Sequence, residues 1–283
     1  MKRPRVALCF SGQLRAWRKA LPTIKEFISL FPHDPDIFMH VWNFNSTSHA
    51  LITDPALDNG INLVDHKEIQ DCIEELSPKK YVIENYETSN SIRDRTYFAI
   101  QSLQGVGNLK ESSRNIYWMA PQYYGINKAS LLREEFEDEN EFYYDCVIRM
   151  RYDAYFTKEA LTNFSSYFSA NSMEPFTLYG THMQYLDRSP GVSLGDIFFC
   201  ADSMTYTLAS QYVDHLPHVY EALNWKFSPP SIFLLPEHYF PFFLRSLFLN
   251  LEHLDFLDPK IARPAEYFER LTENGRVPYG CDI

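Results

Sequence analysis

The sequence has few cysteines, and those it has form no recognisable pattern. Their number is odd, they are widely spaced, and no Cys-x-x-Cys pair occurs; they are Cys9, Cys72, Cys146, Cys200 and Cys281. This argues against a disulfide framework and against a zinc site. Cys9, Cys146 and Cys200 lie inside apolar runs, where a free cysteine behaves as a small hydrophobic residue. The pattern therefore predicts a reducing compartment.

Long hydrophobic runs are also missing. The apolar run Val6–Phe10, which follows a basic start, has five residues and is too short for a secretory signal. The stretch richest in apolar residues, Tyr239–Leu251, contains Arg245 and is too short to cross a bilayer. We therefore expect a soluble cytoplasmic protein with no membrane span.

Positive charge is in deficit. The 26 basic and 37 acidic residues leave a net charge of −11, which argues against a general nucleic-acid binder. A local basic pocket for a phosphate-bearing ligand is still compatible with this balance. Hydrophobic residues make up 45% and charged residues 22% of the chain, which is typical of a globular protein with a sizeable core.

The chain shows no repeat, no low-complexity tract and no convincing domain linker. Its 283 residues suit either one α/β domain or two smaller domains. Val6–Phe10 and Ile37–Trp42 are apolar runs typical of strands buried on both faces, with a helix expected over about 14–30 between them. This βαβ unit predicts a mostly parallel sheet, and a single α/β domain is the economical interpretation.

The remaining elements follow from apolar periodicity and turn residues. Further strands are expected at Tyr81–Ile83, Tyr144–Met150, Phe176–Gly180, Asp196–Cys200 and Leu251–Phe256. Further helices are expected at 67–77, at 121–137 with Pro121 in the first helical position, at 203–218 and at Glu237–Leu249. Residues 87–115 are rich in Ser, Asn and Arg and predict a long loop.

Ligands of a doubly wound sheet bind beyond the carboxyl ends of its strands, which directs attention to the residues after the first strand. There Ser11 and Gly12 would let the backbone approach a ligand, and Arg15 could bind a phosphate near a helix N-terminus. The segment is neither a Gly-x-Gly-x-x-Gly motif nor a P-loop. An ordinary strand–helix turn is the alternative.

Two residues of the second strand could likewise serve either a ligand or the core. Trp42 ends that strand and could flank a nucleobase, or it could cap the core. His40 lies within the strand and is expected to be a core histidine with its hydrogen bonds satisfied.

Arg149, Arg151 and Asp153 alternate at the end of the strand predicted at Tyr144–Met150. They would share one face if the chain stays extended, because side chains on a strand repeat every second residue. Buried cations are unfavourable unless they are paired or bind an anion. Asp153 would then hold a divalent metal, with the arginines on the phosphates that the metal bridges. As the alternative, Asp153 is a structural partner of one arginine.

Taken together, these stretches resemble the GT-A-fold glycosyltransferases that use nucleotide-sugar donors, and most of all a compact group found among viruses and phages. The matching segments are Ala7–Arg15, Asp36–Trp42, Tyr144–Asp153 and Gly195–Phe199, with a weaker match at Pro236–His238. They extend over about residues 5–250, and their order and spacing carry the resemblance. If the protein is virus-encoded, its cytoplasmic location would be that of the host cell.

The resemblance implies a Rossmann-like half over about 1–156 that binds the nucleotide sugar and a less regular half over about 157–283 that binds the acceptor. It places Asp153 at one position of an Asp-x-Asp motif, whose metal is usually Mn²⁺ or Mg²⁺. Arg151 and Tyr155 flank Asp153 at two residues to either side, so the second acid of the motif is missing, and Arg151 could replace part of the metal's charge. The resemblance also implies acceptor-side carboxylates at Asp196 and Glu237, of which one would act as base in an inverting enzyme. Each could equally cap a strand or a helix.

The function predicted from these residues is transfer of a hexose, taken to be glucose, from a UDP-sugar to a hydroxyl of a glycan or small-molecule acceptor. Two alternatives remain open. The chain could be a non-catalytic module that binds a nucleotide or a sugar, which the missing second acid favours. It could also be a nucleotidyltransferase, although the segment Ser11–Arg15 is shorter than the glycine-rich basic loop of that class.

Overall fold

The structure is a computed structural model that describes residues 4–46, 61–85, 110–170, 172–181, 194–216, 218–219, 236–254, 256–257 and 259–261. Its strands are β1 (Val6–Gln13), β2 (Asp36–Trp42), β3 (Phe44–Ser46), β4 (Ile61–Leu63), β5 (Lys80–Glu84), β6 (Cys146–Met150), β7 (Ala154–Tyr155), β8 (Thr177–Gly180), β9 (Phe198–Ala201), β10 (Asn250–His253) and β11 (Lys260–Ile261). Its helices are α1 (Trp17–Ile28), α2 (His66–Leu76), α3 (Lys110–Asn140), α4 (Lys158–Ala170), α5 (Ser203–Ser210) and α6 (Pro236–Ser246).

Seven strands form one sheet in the order β10-β8-β9-β6-β1-β2-β5. Every neighbouring pair is parallel except the two that involve β9, which is antiparallel to both β6 and β8. The expected fold class, a mixed α/β architecture with a mostly parallel sheet flanked by helices, is therefore confirmed. Both predicted halves of the chain contribute strands to this sheet.

The centre of the sheet is buried on both faces, as the continuous apolar run at the start of β1 predicts. Leu8 and Phe10 belong to one hydrophobic cluster, which contains residues of α1, α2 and α4. Ala7 and Cys9 belong to a second cluster on the other face, which contains residues of α3, α5 and α6. The alternation of the strand distributes its side chains between two helical layers.

Strand β1 is longer than the sequence indicates. The expected break at Ser11–Gly12 does not occur, because Ser11, Gly12 and Gln13 continue to pair with residues 40–42 of β2. Gly12 has a φ of 122°, which a glycine adopts without the steric strain of a side chain. The chain therefore leaves the sheet three residues later than expected, and α1 begins at Trp17.

Helix α3 also differs from the expectation. It begins at Lys110, so Pro121 lies inside the helix and is not its first residue. Residues 110–115 were expected to be loop because they belong to a stretch rich in Ser, Asn and Arg with weak apolar periodicity. The rest of the predicted loop, residues 87–109, lies outside the described residues.

Two further features concern the cellular setting. None of the helices in the described segments is long and apolar enough to cross a membrane. Cys9, Cys72, Cys146 and Cys200 are buried and free, and Cys281 lies outside the described residues.

Phe27 is the central ring of the packing between α1, α4 and β9, and we expect its removal to destabilise the fold. It is fully buried, and its ring contacts Phe164 at 5.1 Å, Phe156 at 5.5 Å and Phe198 at 6.0 Å between centroids. Phe27→Ala should lower the free energy of unfolding by about 3–5 kcal/mol, since it leaves a cavity among these rings. Urea denaturation would measure this change.

Phe248→Ala is the matched control, because this phenylalanine is 91% exposed. Its effect should stay within about 0.5 kcal/mol. Equal losses in the two variants would contradict the packing described for α1.

Candidate active site

The order of the strands reverses between β1 and β6, since the chain continues from β1 to β2 on one side and later adds β6 on the other. Ligands of open α/β sheets bind at such a switch point, beyond the carboxyl ends of the strands. Because β9 is antiparallel to β6, its first residues lie at this same edge. Arg15, Arg151, Asp153 and Asp196 are therefore brought together there from three separate segments of the chain.

The closest contact in this group joins Arg151 and Asp153. Arg151 Nε donates to Asp153 Oδ1 at 2.8 Å, and Arg151 Nη2 donates to Oδ2 at 2.8 Å, so the pair is bidentate. The expectation that Arg149, Arg151 and Asp153 share a face of an extended strand is wrong, because β6 ends at Met150 and the chain turns at 152–153. The turn itself places the carboxylate against the guanidinium.

Arg151 also contacts the second carboxylate of the group. Its Nη1 lies 3.5 Å from Asp196 Oδ2, an oxygen that also accepts a hydrogen bond from Gln122 of α3. Burial alone would lower the pKa of Arg151, but the charges and hydrogen bonds of Asp153 and Asp196 outweigh burial and raise it. Arg151 therefore stays a cation between two carboxylates.

Arg15 adds a second guanidinium on the other side of Asp153. Its Nη1 lies 3.9 Å from Asp153 Oδ2, and its Nε donates to Gln13 Oε1 at 3.0 Å. The backbone of Arg15 has a φ of 36°, a left-handed conformation that is unfavourable for a residue with a Cβ by about 1 kcal/mol or more. This strained turn directs the side chain toward the carboxyl edge.

Ser11 and Gly12 lie where β1 reaches this edge. A Cβ built on Gly12 would meet no atom of the described residues within 4 Å, which leaves room for a ligand beside this part of the strand. Ser11 is buried, and its hydroxyl has no hydrogen-bond partner within the described part of the chain. Of the two, Gly12 is the position where backbone and ligand could approach.

Arg149 lies deeper than the other predicted residues. It is fully buried on the α3 side of β6, and its Nη1 donates to the carbonyl oxygen of Met150. Its Nε and Nη2 have no partner among the residues that the structure describes, and burial lowers its pKa. Arg149 therefore adds positive charge beneath the edge and makes no hydrogen bond to either carboxylate of the group.

Trp42 and His40 belong to an aromatic cluster beside the group. Trp42 is only 2% exposed and stacks on Tyr124 of α3 at 5.6 Å, an environment that fits the core-capping alternative. His40 Nε2 lies 2.9 Å from Glu84 Oε2, and Tyr124 donates to the other oxygen of Glu84 at 2.8 Å. Because a carboxylate can only accept, Nε2 of His40 carries the proton.

Glu237 is the remaining predicted carboxylate. The backbone of Glu237 lies in the first turn of α6, and its side chain is outside the described residues. Its role as an acceptor-side residue stays a prediction.

The donor atoms at Asp153 do not fit the Mn²⁺ or Mg²⁺ that the resemblance implies. Both oxygens of this carboxylate accept N–H groups of Arg151, whose guanidinium lies between Asp153 and Asp196. No group of three or more His, Cys, Asp or Glu side chains that could hold a metal occurs within the described segments. The metal stays a prediction of the sequence, and the titrations proposed below test it.

A cavity of about 1060 Å³ lies at the opposite edge of the sheet, beside the start of β6. Its acidic lining residues are Glu134, Glu137, Asp138, Asp145 and Asp202, and no arginine or lysine is among the described residues that line it. Such a charge is unsuitable for a phosphate-bearing ligand, so the chemistry favours the carboxyl edge over this cavity.

Four contributors to the site were not predicted from the sequence. Gln122 and Tyr124 come from α3, and Glu84 comes from the end of β5. Tyr152 donates from its hydroxyl to the carbonyl oxygen of His40 at 3.1 Å and stacks on Phe10, which anchors the turn between Arg151 and Asp153. The signal for Tyr152 was its position between two predicted site residues.

The chain has few detectable sequence similarities to known proteins. No family model and no curated protein matches the chain. Among solved structures, the chain is similar to the crystal structure of mouse xyloside xylosyltransferase 1 in its apo form, with 8% sequence identity and a TM-score of 0.38. The match covers 99% of this chain and 94% of that chain. A likeness of this size carries no argument about function, and the resemblance to the viral and phage group stays a prediction.

His40 should make the stability of the protein depend on pH. Burial lowers its pKa below the usual 6.5, although Glu84 acts in the opposite direction. The unfolded chain then takes up the proton more readily, so the stabilisation is present above about pH 6.5 and is lost as the pH falls. We expect the melting temperature to decrease between pH 7 and pH 5, and to decrease less in His40→Gln.

His33→Gln provides the control, since His33 is an exposed histidine before β2. This variant should keep the pH dependence of the wild type. If His40→Gln kept it as well, the neutral buried state assigned to His40 would be wrong.

Proposed function

We propose that the chain is a glycosyltransferase that moves a hexose such as glucose from a UDP-sugar to an acceptor hydroxyl. One observation carries the proposal: Arg15, Arg151, Asp153 and Asp196 meet at the switch point of the sheet. They come from three of the segments on which the sequence resemblance depends. Convergence of these segments at one ligand-binding edge is expected if they serve one site and is not required of an arbitrary α/β protein.

The chemistry of the group supports a diphosphate-bearing donor. The site contains two guanidinium groups. A guanidinium is well suited to bind phosphate oxygens, since it presents several N–H groups in one plane. The open space at Gly12 would accept the nucleotide close to the backbone of β1. The acceptor would then approach from the side of Asp196, which follows Gly195 in the second half of the chain.

The proposed reaction is a displacement at the anomeric carbon of the donor sugar. A bond forms between the acceptor oxygen and this carbon while the bond from the carbon to the β-phosphate oxygen breaks. UDP leaves with the bonding electron pair, and the proton of the acceptor hydroxyl passes to a carboxylate, for which Asp196 and Glu237 are the candidates. The arginines would stabilise the negative charge that develops on the leaving diphosphate.

The setting that we propose is the cytoplasm, in keeping with the four free cysteines of the described chain. The two halves, about 1–156 and 157–283, would form a single domain because both contribute strands to the central sheet.

Release of UDP from UDP-glucose in the absence of acceptor is the direct test, because many glycosyltransferases hydrolyse their donor slowly when no acceptor is present. A non-catalytic module would bind UDP and release none from the donor. A nucleotidyltransferase would instead consume a nucleoside triphosphate and release pyrophosphate. Failure of the purified protein to bind UDP or a UDP-sugar at all would overturn the proposal.

Arg15→Asn should separate binding from stability. Asparagine tolerates a left-handed backbone better than arginine, so the melting temperature should stay unchanged or increase. Loss of the guanidinium should weaken UDP binding by about 1.5–3 kcal/mol, the range for hydrogen bonds to charged groups. Calorimetric titration and a melting curve on the same preparation measure both effects.

Arg18→Asn is the matched control. Arg18 lies near Arg15 in sequence but pairs with Glu68 and Asp71 on the surface of α1 and α2. It should leave UDP binding unchanged. Unaltered UDP binding in a folded Arg15→Asn protein would exclude Arg15 from the nucleotide site.

A further inference from the structure

We infer that Arg151 takes the place of a divalent cation at this site, so that the diphosphate is bound by the guanidinium groups of Arg151 and Arg15 without a metal. The inference rests on the proposed function, since it concerns the diphosphate of the same donor. It assigns Asp153 a different role from the one that the sequence predicts: Asp153 positions Arg151 and does not ligate a metal.

The first argument is geometric. Arg151 makes two hydrogen bonds of 2.8 Å to the two oxygens of Asp153, and its third nitrogen points to Asp196 at 3.5 Å. One planar cation therefore occupies both oxygens of the predicted metal ligand Asp153 and also contacts the second carboxylate of the group, Asp196. Asp153 is only 1% exposed, so little water competes for its oxygens.

The second argument concerns charge. Mg²⁺ and Mn²⁺ can be held by one or two carboxylates and substrate phosphates, so a small ligand number alone would not exclude them. Here, however, a metal would have to displace the guanidinium from a buried bidentate pair or lie beside it. Displacement breaks strong charge-assisted hydrogen bonds, and coexistence places two cations side by side in a poorly hydrated site.

The third argument is that Arg151 and Arg15 can still bind an anion. Their side chains keep 12% and 14% of their surface exposed at the carboxyl edge. A guanidinium also carries more N–H groups than Arg151 uses with the two carboxylates. The remaining N–H groups can donate to phosphate oxygens while Asp153 fixes the orientation of the plane.

Calorimetric titration of UDP into the wild-type protein, once with EDTA and once with Mn²⁺, is the primary test. We expect the two dissociation constants to agree within about twofold, because no metal contributes to binding. Binding that occurs only with Mn²⁺ would overturn the inference and leave the proposed function standing. Absence of UDP binding in both conditions would overturn the proposed function and the inference together.

The variant Arg151→Ala tests the replacement directly. It should weaken UDP binding in EDTA by about ten- to a hundredfold, the loss expected for a charged hydrogen-bonding group. It should also expose Asp153 and Asp196 to solvent ions, so Mn²⁺ alone should bind this variant and not the wild type, as electron paramagnetic resonance of Mn²⁺ would report. Stoichiometric Mn²⁺ binding by the wild type would contradict the inference.

Two further variants keep this test decisive. Arg18→Ala removes a surface arginine of the same chain segment as Arg15 and should change neither UDP nor Mn²⁺ binding.

If Arg151→Ala does not fold, Arg151→Lys retains the charge and loses the bidentate geometry. That variant should bind UDP more weakly than the wild type and remain insensitive to EDTA. A requirement for Mn²⁺ in Arg151→Lys, combined with one in the wild type, would show that a metal is the native cation.

Discussion

The guanidinium of Arg151 is the interaction on which the candidate site depends, because it joins three parts of the chain that are distant in sequence. It binds Asp153 two residues later, contacts Asp196 before β9, and through Asp196 connects to Gln122 of α3. This arrangement requires β9 to be antiparallel to β6. A parallel β9 would begin at the opposite edge of the sheet and carry Asp196 away from the arginine.

The parts of the fold that could be predicted are those whose pattern is local. The apolar runs of β1 and β2 and the helix between them identify a parallel βαβ unit, since strands buried on both faces leave little room for polar residues. The direction of β9 could not be predicted from its four residues, because an apolar run has the same composition in either direction. The start of helix α3 was predicted too late because its first residues, 110–115, are polar and show no apolar periodicity that would mark a helix.

The candidate site was also predicted only in part from the sequence. Arg15, Arg151 and Asp153 could be assigned to one edge because each follows a recognisable strand. The hydrogen-bond partner of each side chain could not be predicted. The alternation of side chains along a strand predicts a shared face only while the strand continues, and β6 ends at Met150. The long-range contacts of Gln122 and Tyr152 depend on how α3 and β2 are placed in three dimensions, which no local pattern contains.

Two buried arginines differ in a way that supports the proposal of a site at the carboxyl edge. Arg133 is fully buried below α5, yet it donates to Glu137 at 2.5 Å, to Thr207 at 2.6 Å and to Glu134 at 3.0 Å. Its charge is therefore compensated within the fold, as expected of a structural residue. Arg149 is equally buried but donates only to the carbonyl oxygen of Met150 in the described part of the protein.

Backbone strain points to the same edge. Four other described residues with a side chain have left-handed backbones. Ser77, Glu141 and Phe248 each follow the end of a helix, where this conformation commonly terminates the helix, and Phe176 lies in the turn directly before β8. Arg15 lies in the turn between β1 and α1, where its guanidinium is 3.9 Å from Asp153. Unfavourable features that persist in a fold are expected where function requires them. A strained arginine above a buried arginine whose Nε and Nη2 have no hydrogen-bond partner in the described part of the chain is a physical reason, separate from any resemblance, to propose anion binding between β1 and β6.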